Sequence, residues 1–187
     1  ARLDDFSPLL RLSLGAGAFS PEGRSSALAI VEAVPGVRLV EDRTELIAEA
    51  KPFAWSAARD VSRVTLSGHV TLPAVRARLV EAARGIAGSG VEFQDQMAYA
   101  RGAAPRFDAV AQLLVEQLGR LKEGKVSISD NAVSLAGMAR ELGGREAIAA
   151  ALRALPEGFT VADNAVKAPP YIFQANKDPV ANTLTLS

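Results

Sequence analysis

A short alternation of aliphatic and hydroxyl residues that ends in leucine occurs four times along the chain. The four copies are Leu12-Ser13-Leu14, Val64-Thr65-Leu66, Val133-Ser134-Leu135 and Leu184-Thr185-Leu186. Successive side chains of a β-strand point to opposite faces, so each copy predicts a strand with its aliphatic residues on one face. We expect the hydroxyl groups of these strands to point away from the helix-covered side.

The residues around each copy predict a hairpin, then a helix, then a further strand. In the second copy, residues 53–57 form a preceding strand, and Pro73 suits the first turn of a helix. Apolar positions between 75 and 86 recur at helical spacing, and a break at 88–90 leads into the alternating run 91–95. We expect an antiparallel hairpin and a right-handed crossover that returns the last strand parallel to the second.

A longer period of two units is also visible in the chain. A gapless shift of 121 residues pairs Leu14 with Leu135, and a shift of 118 pairs Trp55 with Phe173. Self-similarity at a fixed period is typical of repeat proteins. The units therefore form a pair that is repeated once.

This period predicts two domains, with residues 98–105 as the linker between them. The domains are residues 1–101, with units 1–49 and 50–101, and residues 102–187, with a leading helix at 106–121, a unit at 122–168 and an incomplete unit at 169–187. The equivalent of the leading helix for the first pair would precede Ala1. Because the last unit stops within its second strand, we expect the chain to be a fragment of a longer array.

The predicted fold class is α/β (α+β), with helices packed on one side of mixed sheets. Four aromatic residues alternate along the first strands of the second and fourth units: Phe53, Trp55, Tyr171 and Phe173. We expect them to pack the hairpins against a helix, since large aromatic side chains usually belong to cores. Stacking on a sugar or a base is the alternative.

Composition narrows the function classes. The 187 residues are 49% hydrophobic and 22% charged, as in a globular protein, and contain no Cys for disulfides or thiolate metal ligands. Lys plus Arg and Asp plus Glu are each 21, so the excess of positive charge that nucleic-acid binding requires is missing. The sequence contains no polybasic cluster that would attract it to anionic lipid. It also contains no run of about 18 apolar residues that could span a membrane.

The segment from Gly15 to Ser20 partly matches a dinucleotide-binding fingerprint. It follows a strand and opens a helix, and Glu41 and Asp42 end the next strand. Ser20 replaces the third glycine, however, and the equivalent turns at 67–69 and 136–138 are not glycine-rich. We therefore interpret the segment as an architectural turn; the alternative is a nucleotide-binding enzyme fragment that uses this loop.

The remaining polar candidates favour structural roles. His69 is the only histidine, and the other copies have Gly17 and Met138 at its position, which predicts a solvent-facing turn residue rather than an acid–base catalyst. Acidic residues at Asp95 and Asp163, as at Asp42, recur at the end of the third strand, which predicts turn capping. We predict no catalytic, cofactor-binding or metal-ligating residues.

Longer segments of the chain resemble a known family. The unit with Val64-Thr65-Leu66-Ser67-Gly68 before its helix resembles the BON domain, named for bacterial OsmY and nodulation proteins. The segments at 51–60 (KPFAWSAARD), 95–109 (DQMAYARGAAPRFDA) and 121–129 (LKEGKVSIS) are similar to the envelope segment of alphaproteobacterial OmpA-family proteins. Gly68 and Gly137 match the family motif, whereas the first unit departs from it at Gly15-Ala16.

The resemblance implies a non-enzymatic, periplasmic module of tandem BON repeats in a protein attached to the cell envelope at the outer membrane. It implies a membrane anchor or export signal before Ala1 and a peptidoglycan-binding domain after Ser187. The implied partners are phospholipid or envelope proteins. Independently of the family, unpaired edge strands at 171–187 predict self-association as a further hypothesis.

Overall fold

The computed structural model describes residues 10–14, 17–18, 21–35, 37–42, 45–88, 90–170, 175–178 and 183–186. The strands are β1 (Leu10–Leu14), β2 (Gly17–Ala18), β3 (Val37–Asp42), β4 (Glu45–Leu46), β5 (Ala54–Arg59), β6 (Arg63–Val70), β7 (Glu92–Tyr99), β8 (Leu121–Ser129), β9 (Ala132–Ala139), β10 (Thr160–Lys167), β11 (Ala175–Asp178) and β12 (Thr183–Leu186). The helices are α1 (Pro21–Glu32), α2 (Pro73–Ala87), α3 (Phe107–Gly119) and α4 (Gly144–Leu152).

Six of the strands form one mixed sheet in the order β10-β9-β8-β5-β6-β7. The hairpins β5–β6 and β8–β9 are antiparallel, while β7 returns parallel to β6 and β10 parallel to β9. These pairings and the α+β class agree with the sequence prediction. That the units are copies of one fourfold repeat stays a prediction.

The two hairpins join edge to edge in the middle of this sheet. β5 and β8 are antiparallel over six residue pairs, with Ser56 opposite Ser127 and Ala57 opposite Val126. We call this pairing the seam. It satisfies the backbone groups of two strand edges that each hairpin alone would expose. The sheet therefore runs across the predicted boundary between residues 101 and 102, joining the second and third units instead of dividing them.

All three helices of this region contribute to one core on the same face of the sheet. The buried cluster contains Val75 of α2, Leu114 of α3 and Ile148 of α4, together with residues of β5, β6, β8 and β9. α3 packs against α2, β5 and β8, so one helix covers both sides of the seam. Seven of its residues are buried, more than one narrow stripe would need: Phe107, Val110, Ala111, Leu114, Val115, Gln117 and Leu118.

The local sequence explains why α2 forms where it does. Pro73 occupies the first helical turn, where its missing N–H costs nothing, and Gly88 after the helix has a φ of 76°. Val75, Leu79 and Ala83 recur every four residues and are buried at 5%, 1% and 0% exposure. The helix thus presents one continuous apolar stripe to β6 and β7.

The recurrent glycine lies inside a strand and not in the predicted turn. Gly68 in β6 has a φ of +92°, and Gly137 in β9 has a φ of +151°. A methyl group on Gly68 would collide with the Ala54 carbonyl and lie 2.9 Å from the Trp55 Cα, and one on Gly137 would collide with the Glu123 carbonyl. Both positions require glycine because the backbone of the preceding strand approaches closely.

The first part of the segment predicted as a linker belongs to the sheet. Ala98 and Tyr99 belong to β7, opposite His69 and Val70 of β6, and Ala100 is 4% exposed. The strand continues through them because β6 extends to Val70 and its edge needs a partner of equal length.

Arg101 then ties the preceding chain to this point. Its Nε donates to the Ile47 carbonyl at 2.7 Å, and its backbone N–H donates to the Ala48 carbonyl at 3.0 Å. The Ala50 N–H donates to the Arg101 carbonyl at 2.9 Å. Residues 47–50 are thereby held beside the end of β7.

The flanking parts of the chain form small sheets of their own among the described residues. β1 is parallel to β3 with α1 between them in sequence, the relation that β6 and β7 have around α2. β2 pairs with β4 in parallel, and β11 pairs with β12 in an antiparallel hairpin.

Candidate functional site

Serines from four adjacent strands lie side by side across the middle of the sheet. The register places Ser134 opposite Ser127, Ser127 opposite Ser56, and Ser56 opposite Ser67. Asp163 of β10 and Gln96 of β7 continue this row to the two edges. A single line of polar side chains thus crosses all six strands.

This row lies on the side of the sheet away from the helices. Val64 and Leu66 are fully buried, whereas Thr65 between them is partly exposed. Ser134 is likewise partly exposed between the buried Val133 and Leu135. The predicted orientation of the hydroxyl residues is confirmed for Thr65 and Ser134. We call the side with the serine row the open face.

The centre of the open face is a shallow hollow over the seam. Its volume is about 210 Å³, and it is lined by Ser56, Ser67, Ser127 and Lys125 among others. The hydroxyl groups of Ser56 and Ser67 are 2.9 Å apart and hydrogen-bonded. Because each hydroxyl can donate and accept, the hollow offers both kinds of partner beside the Lys125 ammonium group, which only donates.

A second hollow lies on the open face near the β10 edge. Its volume is about 430 Å³, and Ala136, Met138 and Ala165 form part of its lining. Glu123 and Lys167 also line it and place one charge of each sign there. Its apolar floor and charged walls differ from the hydroxyl-rich centre.

The opposite edge of the open face carries a chain of polar contacts along β7. Gln96 donates to the Gln94 side chain at 3.3 Å, and Gln94 donates to Glu92 at 2.9 Å. Arg63 pairs with Glu92 at 3.0 Å. The hydrogen bond from Gln94, then the contact with Arg63, lowers the pKa of Glu92. These contacts keep an ionised carboxylate at the edge strand.

The open face is therefore suited to contact an extended polar ligand. Hydroxyl and amide groups are spread over the open face, with a cation at its centre and carboxylates toward both edges. Such an arrangement can form several hydrogen bonds at once, each contributing about 0.5–1.5 kcal/mol. It suits binding by many weak contacts.

The prediction that His69 is a solvent-facing turn residue is wrong. It belongs to β6 and is half-buried, with its Nδ1 enclosed and its ring centre 5.8 Å from that of Phe53. It is not a solvent-facing turn residue, because the close approach at Gly68 allows β6 to continue to Val70. His69 thus borders the core at the end of the sheet.

The predicted capping role of the acidic residues is wrong at two positions. Asp95 lies in the middle of β7, where its carboxylate accepts hydrogen bonds from the Arg76 Nε at 2.8 Å and the Met97 N–H at 3.0 Å. Asp163 lies within β10, opposite Ser134. Both strands continue beyond the acids because their parallel partners do.

The aromatic prediction is confirmed for the second unit. Phe53 and Trp55 are 0% and 1% exposed, and their rings meet Phe107 of α3 edge-on at 5.0 and 6.3 Å. The Trp55 Nε1 donates to the Met97 sulfur at 3.3 Å. These rings fill the core and are closed to a sugar or base. Tyr171 and Phe173 lie outside the described residues.

The dinucleotide-like segment is described only in part. Gly17 and Ala18 form β2, which pairs with Glu45 and Leu46 of β4. Gly15, Ala16, Phe19 and Ser20 lie outside the described residues, and Glu41 and Asp42 belong to β3. The nucleotide-binding alternative therefore stays a prediction.

Among the described residues, no group of three or more His, Asp or Glu side chains could hold a metal ion. Within the same residues, no helix has the length and apolar character needed to cross a membrane. In comparisons with known proteins, no protein-family model and no curated protein matches the chain.

The sequence predicted the orientation of the hydroxyl residues within each strand, but it did not predict that they line up across the sheet. Each serine lies between apolar neighbours, which is an ordinary pattern for a half-buried strand. Their alignment depends on the seam, which pairs strands from units 71 residues apart in the case of Ser56 and Ser127. The local sequence pattern of neither strand shows a pairing between strands so far apart in the chain.

Proposed function

We propose that the chain is a non-enzymatic periplasmic module of tandem BON-like units in an OmpA-family protein of the cell envelope. In this role it holds a membrane anchor at a distance from a peptidoglycan-binding domain and contacts phospholipid or envelope proteins. The proposal rests on the segment resemblance and on one structural observation, the seam that unites two units in a single sheet.

The seam favours a spacer role because it removes a flexible joint. Two units on a free linker would move as separate bodies, whereas a continuous sheet with a common core moves as one. Six strands at a spacing of about 4.8 Å give a width of roughly 24 Å. A rigid body of this size keeps its two ends at a defined separation.

The open face favours an interaction role. Phospholipid head groups and protein surfaces both offer acceptors for the serine hydroxyls and for Lys125. Because the net charge of the chain is zero, attraction of the whole molecule to an anionic surface is weak. We therefore expect binding to depend on local contacts and to weaken only modestly as salt increases.

The test is co-sedimentation of the purified chain with phosphatidylglycerol vesicles, phosphatidylcholine vesicles and peptidoglycan sacculi. The variant Lys125→Glu reverses the charge at the centre of the open face. Arg153→Glu makes the same charge change at the exposed C-terminal end of α4, on the helix side of the sheet. We expect vesicle binding that Lys125→Glu reduces and Arg153→Glu leaves unchanged, with sacculi not bound by this chain.

Fractionation of cells that express the whole parent protein completes the test. We expect the protein in the envelope fraction, released from spheroplasts only after detergent. Recovery in the cytosol would contradict the envelope role. A saturable dinucleotide-dependent rise in melting temperature, abolished by Gly17→Val, would favour the nucleotide-binding alternative instead.

A further inference from the structure

Among the described residues, no element covers one apolar face at the end of α1. Ile30 is 70% exposed and Val34, just beyond the helix, is 45% exposed. No residue of α1 is buried, although the helix lies against β3. Single exposed aliphatic residues are common on proteins, so the position of these two must be compared with an equivalent helix.

α2 provides this comparison within the same chain. α1 and α2 both begin with a proline, Pro21 and Pro73, which lie 52 residues apart, as Leu14 and Leu66 do. Both helices connect two parallel strands, β1 to β3 and β6 to β7. The shift of 52 residues therefore places α1 on positions 73–84 of α2 without a gap, while α2 continues for three more residues.

This shift places Ile30 of α1, and Val34 two residues beyond its end, at partly buried positions of α2. Ile30 corresponds to Ala82, and Val34 corresponds to Ile86. Ala82 and Ile86 are partly buried and pack against the hydrophobic core. The same side of the helix is thus covered in one unit and open in the other.

The element that covers this side of α2 is α3. A methyl group on Gly119 of α3 would lie 2.9 Å from the Ile86 Cγ2, which is too close for a carbon–carbon contact. The two helices therefore pack closely at this point, and the contact requires a glycine. Arg78 of α2 and Asp108 of α3 form an ion pair at 3.3 Å across the same interface. The contact therefore combines a small residue, an aliphatic residue and a charge pair.

We propose that the exposed face of α1, defined by Ile30 and Val34, is the docking site for an amphipathic helix with the chemistry of α3. The partner helix carries an apolar stripe and a glycine or another small residue opposite Val34. Ser26 stands where α2 has Arg78, so the docked helix needs no carboxylate at the position of Asp108. This inference is independent of the proposed envelope function.

A peptide with the sequence of residues 106–120 is the probe, because the α3 of the folded chain already occupies the α2 face. Fluorescence anisotropy of the labelled peptide measures its binding to the full chain. We expect saturable binding that Ile30→Asp weakens by about tenfold or more, since burying a charge in an apolar contact is unfavourable. A peptide with Gly119→Leu should also bind more weakly.

Val61→Asp is the matched control. Val61 is 75% exposed, close to the value for Ile30, but lies in the turn between β5 and β6. Its variant should bind the peptide as the unchanged chain does. Val34→Asp provides a second variant of the site, and circular dichroism checks that every variant keeps its fold.

Three outcomes would overturn the inference. The first is no binding of the peptide, and the second is equal binding to the unchanged chain and to Ile30→Asp. The third is a dimer of the chain that Ile30→Asp dissociates while the peptide does not compete. That result would assign the face to a contact between two α1 helices.

Discussion

Substitution of Phe107 by alanine tests whether the two central units share one core. Phe107 is the first residue of α3 and is 2% exposed. Its ring meets Phe53 and Trp55 edge-on, and both of these lie on the core face at the first strand of the second unit. Since β5 pairs with β6 and with β8, this contact fastens α3 to the strand that both units use.

The expected loss is large compared with the stability of a domain. Removal of a buried phenylalanine side chain costs about 3–5 kcal/mol, which includes the cavity that remains and the lost aromatic contacts. Domains of this size are stable by about 5–15 kcal/mol. With a urea dependence of about 2 kcal/mol per molar, the unfolding midpoint should fall by roughly 1.5–2.5 M.

Urea unfolding followed by two probes reads out the result. Trp55 is the only tryptophan, so its fluorescence reports on β5, whereas far-UV circular dichroism reports on all helices and strands. If the core is shared, both probes shift together in Phe107→Ala. Phe93→Ala, on the partly exposed ring of β7, should shift the midpoint by less than half as much.

A biphasic dichroism curve would refute the reasoning. In that case one phase would move with the Trp55 signal, and a second phase, from the third unit, would stay at its original midpoint. The two units would then unfold independently, and the seam would contribute little to their stability.

Three further outcomes are expected. Gly68→Ala should lower the melting temperature more than Gly88→Ala. Both glycines have a positive φ, where an alanine costs about 1–2 kcal/mol in backbone strain. Only at Gly68 would the added methyl group also collide with backbone atoms. Hydrogen bonds from the Ser62 N–H and hydroxyl lower the pKa of Asp60. The ionised carboxylate therefore stabilises the folded protein above about pH 4, and this contribution is lost as the pH falls through the folded-state pKa. In urea titrations, Asp60→Asn should reduce the loss of stability between about pH 5 and 3. Arg101→Ala should make the backbone near residue 47 a site of early cleavage in limited proteolysis, and unchanged cleavage would show that backbone hydrogen bonds alone hold this segment.

The order of elements was predictable because its signals are local. Alternation near Leu66, the proline at residue 73 and the glycines near 88 fix a hairpin, a helix and a strand within about 50 residues of each other. The parallel return of β7 follows because a helix between two strands of one sheet forms a crossover connection. The hydroxyl orientation follows from the period of two residues in a strand.

The seam was not predictable from those signals. Each hairpin has two edges, and nothing in the pattern of β5 shows which strand lies beside it. The one indication was the breadth of the apolar surface of α3, whose seven buried positions exceed what a single unit would cover. The role of Gly68 was missed for a related reason: a glycine after an alternating run suggests a turn, and only the contact with Ala54 and Trp55 shows a close approach of two strands.

α3 connects the spacer proposal with the docking proposal. Where α3 is present, it covers the side of α2 that carries Ile86 and spans the seam, so two units become one body. Where no such helix lies among the described residues, the equivalent side of α1 leaves Ile30 exposed to solvent. A unit of this kind is therefore completed by a helix and by an edge-to-edge neighbour together. If the docking site on α1 is filled by a helix of the α3 type, the flanking unit becomes as rigid as the central pair, and the length that the module spans is set by packed units and not by linkers.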